Sequence, residues 1–122
     1  MSFFVLIILM KGIFMYQDFN KAELKDLGNG LKRKILAYSQ NLMTVYMEFD
    51  EGALADVHAH NSHEQITYII DGEFLFNVNG EEYLCKAGDS LHFAKNMTHG
   101  CKCIKNGRLL DTFTPEREDF FE

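Results

Sequence analysis

The sequence predicts an all-β fold, and three observations support this prediction. Short segments with alternating or β-branched character follow one another along most of the chain. Glycine and asparagine stand between them at turn positions, and Asn79-Gly80 is the strongest hairpin signal. Only residues 18–27 have the pattern of a short helix. Such a succession is typical of a β-sandwich or a small barrel.

The N-terminal part has the least regular pattern. Residues 3–10 are apolar without interruption, but a span of the bilayer needs about 20 such residues. A basic start and a small-residue cleavage site, which a secretory signal requires, are not evident. Two interpretations stay open for residues 1–15: a leader that precedes the true start at Met10 or Met15, or an extra edge strand. A short irregular or helical segment follows, and the domain is expected to occupy residues 16–122.

The strands are expected after the turn at Gly28-Asn29-Gly30. Asp71-Gly72 is expected to close one strand, and Asn106-Gly107 to form a second hairpin. Asn96 is expected to take the left-handed conformation of a tight turn. Pro115, the only proline, ends the last strand. The predicted strands are 32–37, 42–49, 54–60, 65–70, 74–78, 82–85, 90–94, 99–104 and 108–114.

The predicted strand 65–70 is apolar on both faces. Because only one face can meet the interior, the outer face needs a cover, and a homodimer is the economical one. We therefore expect a homodimer. The two faces, by alternation, are Gln65/Thr67/Ile69 and Ile66/Tyr68/Ile70.

Composition excludes several functional classes. A chain of 122 residues with 47% hydrophobic content and 11 phenylalanines can fill the core of one domain. The net charge of −6 argues against a nucleic-acid partner, and no membrane partner is expected. Cys85, Cys101 and Cys103 are an odd set without a pairing framework, so we expect thiols in the reducing cytoplasm.

The histidines are the most informative residues. His58 and His60 are separated by one residue, so on a strand they point the same way and can share one ion. His99 lies far downstream and can reach the same ion from a distant strand. Imidazole nitrogens with an oxygen donor suit divalent zinc, nickel, iron or manganese. The alternative is a group of surface histidines around a loop.

The last predicted strand carries an acidic candidate. Leu109, Asp111 and Phe113 share a face, so if the two apolar side chains point inward, Asp111 does too. A buried carboxylate is costly unless it is paired or used, and burial would raise its pKa toward proton transfer. The alternative is a structural ion pair with Arg108 or Arg117.

Arg117 follows Pro115 within a charged run. Its planar guanidinium can present two donors to a substrate carboxylate. The alternative is an ordinary surface arginine. Cys101 and Cys103 share parity with His99, and we interpret them as buried packing thiols instead of ligands.

Two segments together resemble the motifs of the cupin superfamily. The stretch from Gly52 to Gly72 resembles the first motif, and residues 88–103 resemble the second, where His99 takes the metal-histidine place. The resemblance implies a double-stranded β-helix, the jelly-roll barrel. It also assigns the third ligand to Gln65 instead of Glu64, because a shift of one residue moves a side chain to the other face. Three departures from the second motif are Ala94, Asn96 and Cys103, where proline, glycine and asparagine are usual.

A narrower resemblance is to the pectin degradation protein KdgF family of small cupins. It is carried by HAHNSHEQITYIIDGEF at residues 58–74, MTHG at 97–100 and LLDTFTPERED at 109–119. That family is associated with pectin and alginate breakdown, where it converts 4,5-unsaturated monouronates to the linear 4-deoxy-5-keto uronate. The implied metal ligands are His58, His60, Gln65 and His99. The implied active-site residues are Asp111, Phe113 and Arg117.

These expectations combine into one functional hypothesis. The chain is expected to be an enzyme that holds one divalent metal ion, nickel, zinc, iron or manganese, and opens the ring of an unsaturated uronate. Three imidazoles and the neutral amide of Gln65 leave the charge of the ion uncompensated, which favours an anionic sugar. Two alternatives stay open: a non-catalytic sugar- or effector-binding cupin, and a metal-dependent oxygenase.

Overall fold

The computed structural model describes residues 14–121, and within them the fold is almost entirely β. The described part contains no helix long and apolar enough to cross a membrane. A short 3-10 helix at Glu118–Phe121 ends it. The all-β prediction is therefore confirmed. The strands are β1 (Lys25–Gly28), β2 (Leu31–Ser39), β3 (Leu42–Phe49), β4 (Leu54–His58), β5 (Glu64–Val78), β6 (Glu81–Lys86), β7 (Ser90–Phe93) and β8 (His99–Thr114).

All strand pairs are antiparallel, and the two longest strands organise the sheet. The hydrogen-bonded order is β1-β2-β3-β8-β5-β6, with β4 also on β8 and β7 also on β5. This antiparallel arrangement agrees with the predicted jelly roll, but the hydrogen-bonded sheet is open, with β1 and β6 at the ends of this order, instead of a closed barrel. The two halves of β5 and β8 enclose the core by side-chain packing.

Two predicted turns are wrong because they lie inside the long strands. Asp71-Gly72 lies within β5 and Asn106-Gly107 within β8, and the register between the two strands shifts at this point. A Cβ atom on Gly72 would lie 2.4 Å from the Cα atom of Gly107. These glycines therefore permit a close approach of two paired strands at a bulge, a tertiary requirement that resembles a turn signal in the sequence.

Two other turn predictions are confirmed. Asn79-Gly80 joins β5 to β6, and both residues have positive φ, 50° and 87°. Asn96 has a φ of 65°, the left-handed conformation that the sequence predicts.

The helical turn or two predicted at residues 18–27 forms only in the first half of this segment. Only one turn forms, where the amides of Lys21 and Ala22 both donate to the carbonyl of Asp18 at 3.1 Å. The second half of the segment is β1, because the open edge of β2 offers backbone partners that compete with the helix. Residues 1–13 lie outside the described residues, and with them most of the predicted leader. Phe14 makes an isolated bridge with Tyr38 of β2.

The first half of β5 fixes which side chains face the interior. Gln65, Thr67 and Ile69 are buried, whereas Ile66 and Tyr68 are 51% and 46% exposed. The predicted alternation is therefore confirmed. The exposed outer face, with Ile66 and Tyr68, is the face that a homodimer is expected to cover. The homodimer stays a prediction.

Candidate metal centre and active-site pocket

A pocket of about 230 Å³ opens into the interior beside β4, β5 and β8. It is smaller than the 300–1,000 Å³ or so of sites for drug-sized ligands, so it suits a small molecule. The structure brings every sequence-predicted site residue to its lining. These residues are His58, His60, Gln65, His99, Asp111, Phe113 and Arg117.

Three histidines converge at this pocket. His58 ends β4 and is paired directly with His99 at the start of β8, while His60 follows two residues later. Their potential ligand atoms all lie within 4.8 Å of one another. Metal–nitrogen bonds of about 2.0–2.1 Å place two ligands of one ion at most about 4.2 Å apart. A small inward movement would therefore complete a three-imidazole site.

The backbone orients two of these imidazoles as ligands. Nδ1 of His58 donates to the carbonyl of Asp56 at 2.6 Å, and Nδ1 of His99 donates to the carbonyl of Met97 at 3.0 Å. Because a carbonyl only accepts, the proton is on Nδ1 and the lone pair is on Nε2. Nε2 of His99 is buried and has no hydrogen-bond partner. A buried, unpartnered nitrogen is costly, and a bound cation would satisfy it. The residues therefore fit a divalent metal ion.

Burial favours the neutral form of two of the three imidazoles, those of His60 and His99. Desolvation, with the nearby charge of Arg117 and then the neighbouring histidines, lowers the pKa of His60 to about 4. Burial likewise lowers the pKa of His99. Nε2 of His60 accepts a hydrogen bond from Nη1 of Arg117 at 3.2 Å. A neutral imidazole is the form that binds metal, and an ion bound at Nε2 of His60 would replace the hydrogen bond from Arg117.

Gln65 is hydrogen-bonded to the acidic residue of the pocket, Asp111. Its Nε2 donates to Oδ1 of Asp111 and to the hydroxyl of Thr67, both at 3.0 Å. The hydroxyl of Thr67 donates to the same Oδ1 at 2.6 Å. Oε1 of Gln65 has no hydrogen bond within residues 14–121, so the amide oxygen is available as a metal donor. Thr67 was not predicted as a site residue, although its parity with Gln65 is a signal that could have found it.

Asp111 lies on the same inward face as Leu109 and Phe113, as alternation predicts. Burial raises the pKa of Asp111 to about 6, and the hydrogen bonds from Thr67 and Gln65 offset part of that rise. Both donors use Oδ1, which leaves Oδ2 without a protein partner among the described residues. A carboxyl group with a free oxygen and such a pKa can accept or give up a proton near neutrality.

The alternative of a structural ion pair at Asp111 is wrong. Arg108 binds Asp71 on the surface at 2.6 Å. Arg117 binds Asp119 through Nε at 2.9 Å and Nη2 at 2.7 Å. The carboxylate of Asp111 therefore has no arginine partner in the part of the chain described here.

Arg117 is not an ordinary surface arginine. Its side chain is only 14% exposed, and its guanidinium lies 4.4 Å from the ring centroid of Phe120 and 5.1 Å from that of Phe113. Phe113 is buried, and its ring makes edge-to-face contacts with those of His60 and His63. The pocket thus has an aromatic wall and a cation beside the imidazoles.

Glu64 and His92 are paired outside the pocket. The Glu64 carboxylate points away from the interior and accepts a hydrogen bond from Nε2 of His92 on the outer face. Gln65, one residue later, points inward, as the cupin spacing predicts. His63 also lies outside the three-histidine cluster and donates to the carbonyl of Glu116 at 3.0 Å.

The cysteines are buried thiols, as predicted. Cys101 lines the pocket, and desolvation raises its pKa to about 12, so it stays protonated. Cys103 is fully buried in the core beside the carbonyl of Phe49. A protonated thiol is a poor metal ligand, so neither competes with the histidines.

Comparison with known proteins identifies the family to which this fold belongs. Residues 45–113 match the cupin domain family. The fold resembles a solved RmlC-like cupin from Shewanella frigidimarina NCIMB 400, with a TM-score of 0.86, 41% identity, and coverage of 89% of this chain and 98% of that one. The all-β fold and the three-histidine pocket are those of a cupin.

Two further relatives narrow the class. The pectin degradation protein KdgF of Dickeya dadantii (strain 3937) is 41% identical over 97 residues, which cover 79% of this chain and 88% of that protein. The structure of KdgF from Halomonas sp. matches with a TM-score of 0.85 and 30% identity, over 88% of this chain and 98% of that one. Within the cupin superfamily, the chain belongs to the family of the pectin degradation protein KdgF.

Proposed function

We propose that this protein acts in the breakdown of pectin, and of alginate, as an enzyme that converts 4,5-unsaturated monouronates to the linear 4-deoxy-5-keto uronate. The 41% identity to a protein named for pectin degradation supports the pathway. The contents of the pocket support the reaction. The proposed metal ligands are His58, His60, Gln65 and His99.

One observation carries the proposal most directly. Asp111 lies in the same small pocket as three converging imidazoles, with one oxygen held and the other free. Its raised pKa, about 6, lets it exchange a proton near neutral pH. A module that only binds a sugar would have no use for such a group.

The residues around the ion determine what it would attract. A bound divalent ion would act as a Lewis acid that polarises the oxygens of the sugar. Three imidazoles and one amide carry no charge, so an anionic sugar would supply the missing negative charge. This electrostatic argument favours a uronate over a neutral sugar.

The reaction is an isomerisation and needs no co-reactant. The bond between C1 and the ring oxygen breaks as the anomeric hydroxyl loses its proton, which leaves an aldehyde at C1 and an enolate at C5. The enolate becomes a ketone when C4 gains a proton. We assign both transfers to Asp111, which accepts the first proton and returns one to C4.

The remaining pocket residues hold the sugar. Arg117 orients the substrate carboxylate, and Phe113 packs against the sugar ring. Both line the pocket beside His60.

The test is to mix the metal-analysed protein with 4,5-unsaturated galacturonate or guluronate and follow the products by NMR. Faster formation of the linear ketone than the spontaneous reaction supports the proposal. Binding without acceleration would make the protein a sugar-binding module instead. Consumption of dissolved oxygen would make it an oxygenase.

A further inference from the structure

A second arginine, Arg33, lines the pocket with a buried guanidinium group. Arg33 is in β2, where it pairs with Lys25 on one side and Met47 on the other. Its side chain faces the interior, and the residue is only 8% exposed. It lines both the histidine pocket and a neighbouring cavity of about 390 Å³.

The charge of Arg33 has no carboxylate within ion-pair distance among residues 14–121. Its Nε is buried without a partner, and Nη2 makes only a long 3.5 Å hydrogen bond to the carbonyl of Phe120. The guanidinium also lies 4.1 Å from the Phe120 ring centroid. Asp119 attracts it only from a distance. A buried charge without a counter-charge is costly, and an anionic ligand in the pocket would supply one.

The two arginines of the pocket differ in how many of their nitrogens remain free to donate a hydrogen bond. Both guanidinium groups contact the same ring, Phe120. Arg117 already uses Nε and Nη2 on Asp119, and its Nη1 lies against His60. Arg33 has free donors, because its Nε is unpartnered and its Nη2 is weakly held. The donor pair that could take a carboxylate in two parallel hydrogen bonds is therefore on Arg33.

We propose that Arg33 binds the carboxylate of the anionic sugar and sets the preference of the pocket for acids over neutral sugars. The proposal rests on the proposed function for the class of ligand, a uronate. Arg117, tied to Asp119, keeps the proposed role of orienting that carboxylate from the side of the histidines, and Arg33 supplies the two parallel hydrogen bonds. A purely structural Arg33 is the competing explanation.

Galacturonate and its methyl ester are the probes. They share the sugar ring and differ in the negative charge, and the saturated acid has no double bond to react. Calorimetry or NMR titration would measure both affinities for the unmodified protein and for Arg33→Gln. The unmodified protein should bind the acid about 10- to 100-fold more tightly than the ester, and Arg33→Gln should lose most of that preference.

Two further variants make the result specific. Arg108→Gln is the matched control, because it removes the same charge from a surface arginine paired with Asp71 and outside the pocket lining. It should keep the preference. Arg33→Lys retains the charge without the planar fork and should lose the preference by only a few-fold.

Thermal unfolding distinguishes a ligand-binding role of Arg33 from a structural role. Because the charge is unpartnered, Arg33→Gln should leave the unfolding midpoint unchanged or raise it, whereas a structural arginine would lower it. A preference kept in Arg33→Gln, or lost equally in Arg108→Gln, would overturn the proposal. Since galacturonate is not turned over, this result is independent of whether the ring-opening assay succeeds.

Discussion

The two halves of strand β5 bury opposite kinds of side chain. In the first half, Gln65 and Thr67 are 7% and 1% exposed and form a polar network with Asp111 of β8. In the second half, Phe74 and Phe76 are 0% and 4% exposed and pack in the apolar core. The same two strands, β5 and β8, form both environments.

The contrast shows that one pair of strands provides the apolar core in one half and the polar residues of the pocket in the other. Full burial of a phenylalanine contributes about 1.5–3 kcal/mol, whereas burial of a polar group costs free energy unless it is hydrogen-bonded. The carboxyl of Asp111 is only half satisfied, and Nε2 of His99 is not satisfied at all. The apolar half thus stabilises a fold whose polar half is kept open for a ligand.

The largest expected effect is the loss of bound metal in the polar half. His99→Ala removes the most buried of the three clustered imidazoles and should lower the metal content from about one ion per chain to nearly none. Ring-opening activity should fall with it. Elemental analysis beside the NMR assay would measure both.

His92→Ala is the matched control for this loss. It removes a histidine that is paired with Glu64 on the outer face, so metal content and activity should stay at the level of the unmodified protein. Equal losses in both variants would show that the cluster is not the metal site.

The converse change is in the apolar half. Phe74→Ala leaves a large cavity in the core and should lower the free energy of unfolding by about 3–5 kcal/mol, measured in urea. The folded fraction should retain most of its metal and activity. Loss of metal at low denaturant, with the fold intact, would mean that the two halves are not separable.

A smaller effect is expected at the boundary between the halves. Thr67→Val keeps the volume but removes the 2.6 Å hydrogen bond to Asp111. The value of kcat should fall about 10-fold with KM nearly unchanged, since one such bond contributes roughly 1–1.5 kcal/mol. Thr67→Ser retains the hydroxyl and should recover most of the lost kcat. A Ser variant as impaired as Val would assign the effect to packing.

The smallest effect concerns pH and the C-terminal turn. The hydrogen bonds from Arg117 hold the pKa of Asp119 below its usual value. A lowered pKa contributes stability above the unfolded-state pKa, and this is lost as pH falls through the folded-state value. Asp119→Asn should therefore lower the unfolding midpoint slightly at pH 7, and the difference should vanish in acid. Because Asp119 is half exposed, added salt should also reduce this difference in unfolding midpoint.

Features that depend on strand alternation could be predicted from the sequence. The inward position of Asp111 and the opposite directions of Glu64 and Gln65 follow from a period of two. That period is a local property of the chain. Once a strand is recognised, the face of each residue is determined. The choice of Gln65 as the ligand rests on the cupin resemblance. His60 lies two residues beyond the end of β4, so strand alternation does not explain its approach to His58.

Features that depend on distant pairing could not be predicted. The dipeptides Asp71-Gly72 and Asn106-Gly107 have the composition of turns, but their glycines permit the close contact between β5 and β8. Residues 25–27 belong to the segment predicted as helical, but they lie in β1, which pairs with the edge of β2. Arg33 lies within an unremarkable basic run, and only the tertiary structure brings it to the pocket.

The most direct test of the central claim compares the unmodified protein with Asp111→Asn in the NMR assay, at matched metal content. Asparagine keeps the shape of the side chain but cannot exchange the proton. The account predicts that the variant retains its metal and stability while ring opening slows by about 10²–10⁴-fold, the usual contribution of a general acid–base. Full activity in a metal-loaded Asp111→Asn protein would contradict it.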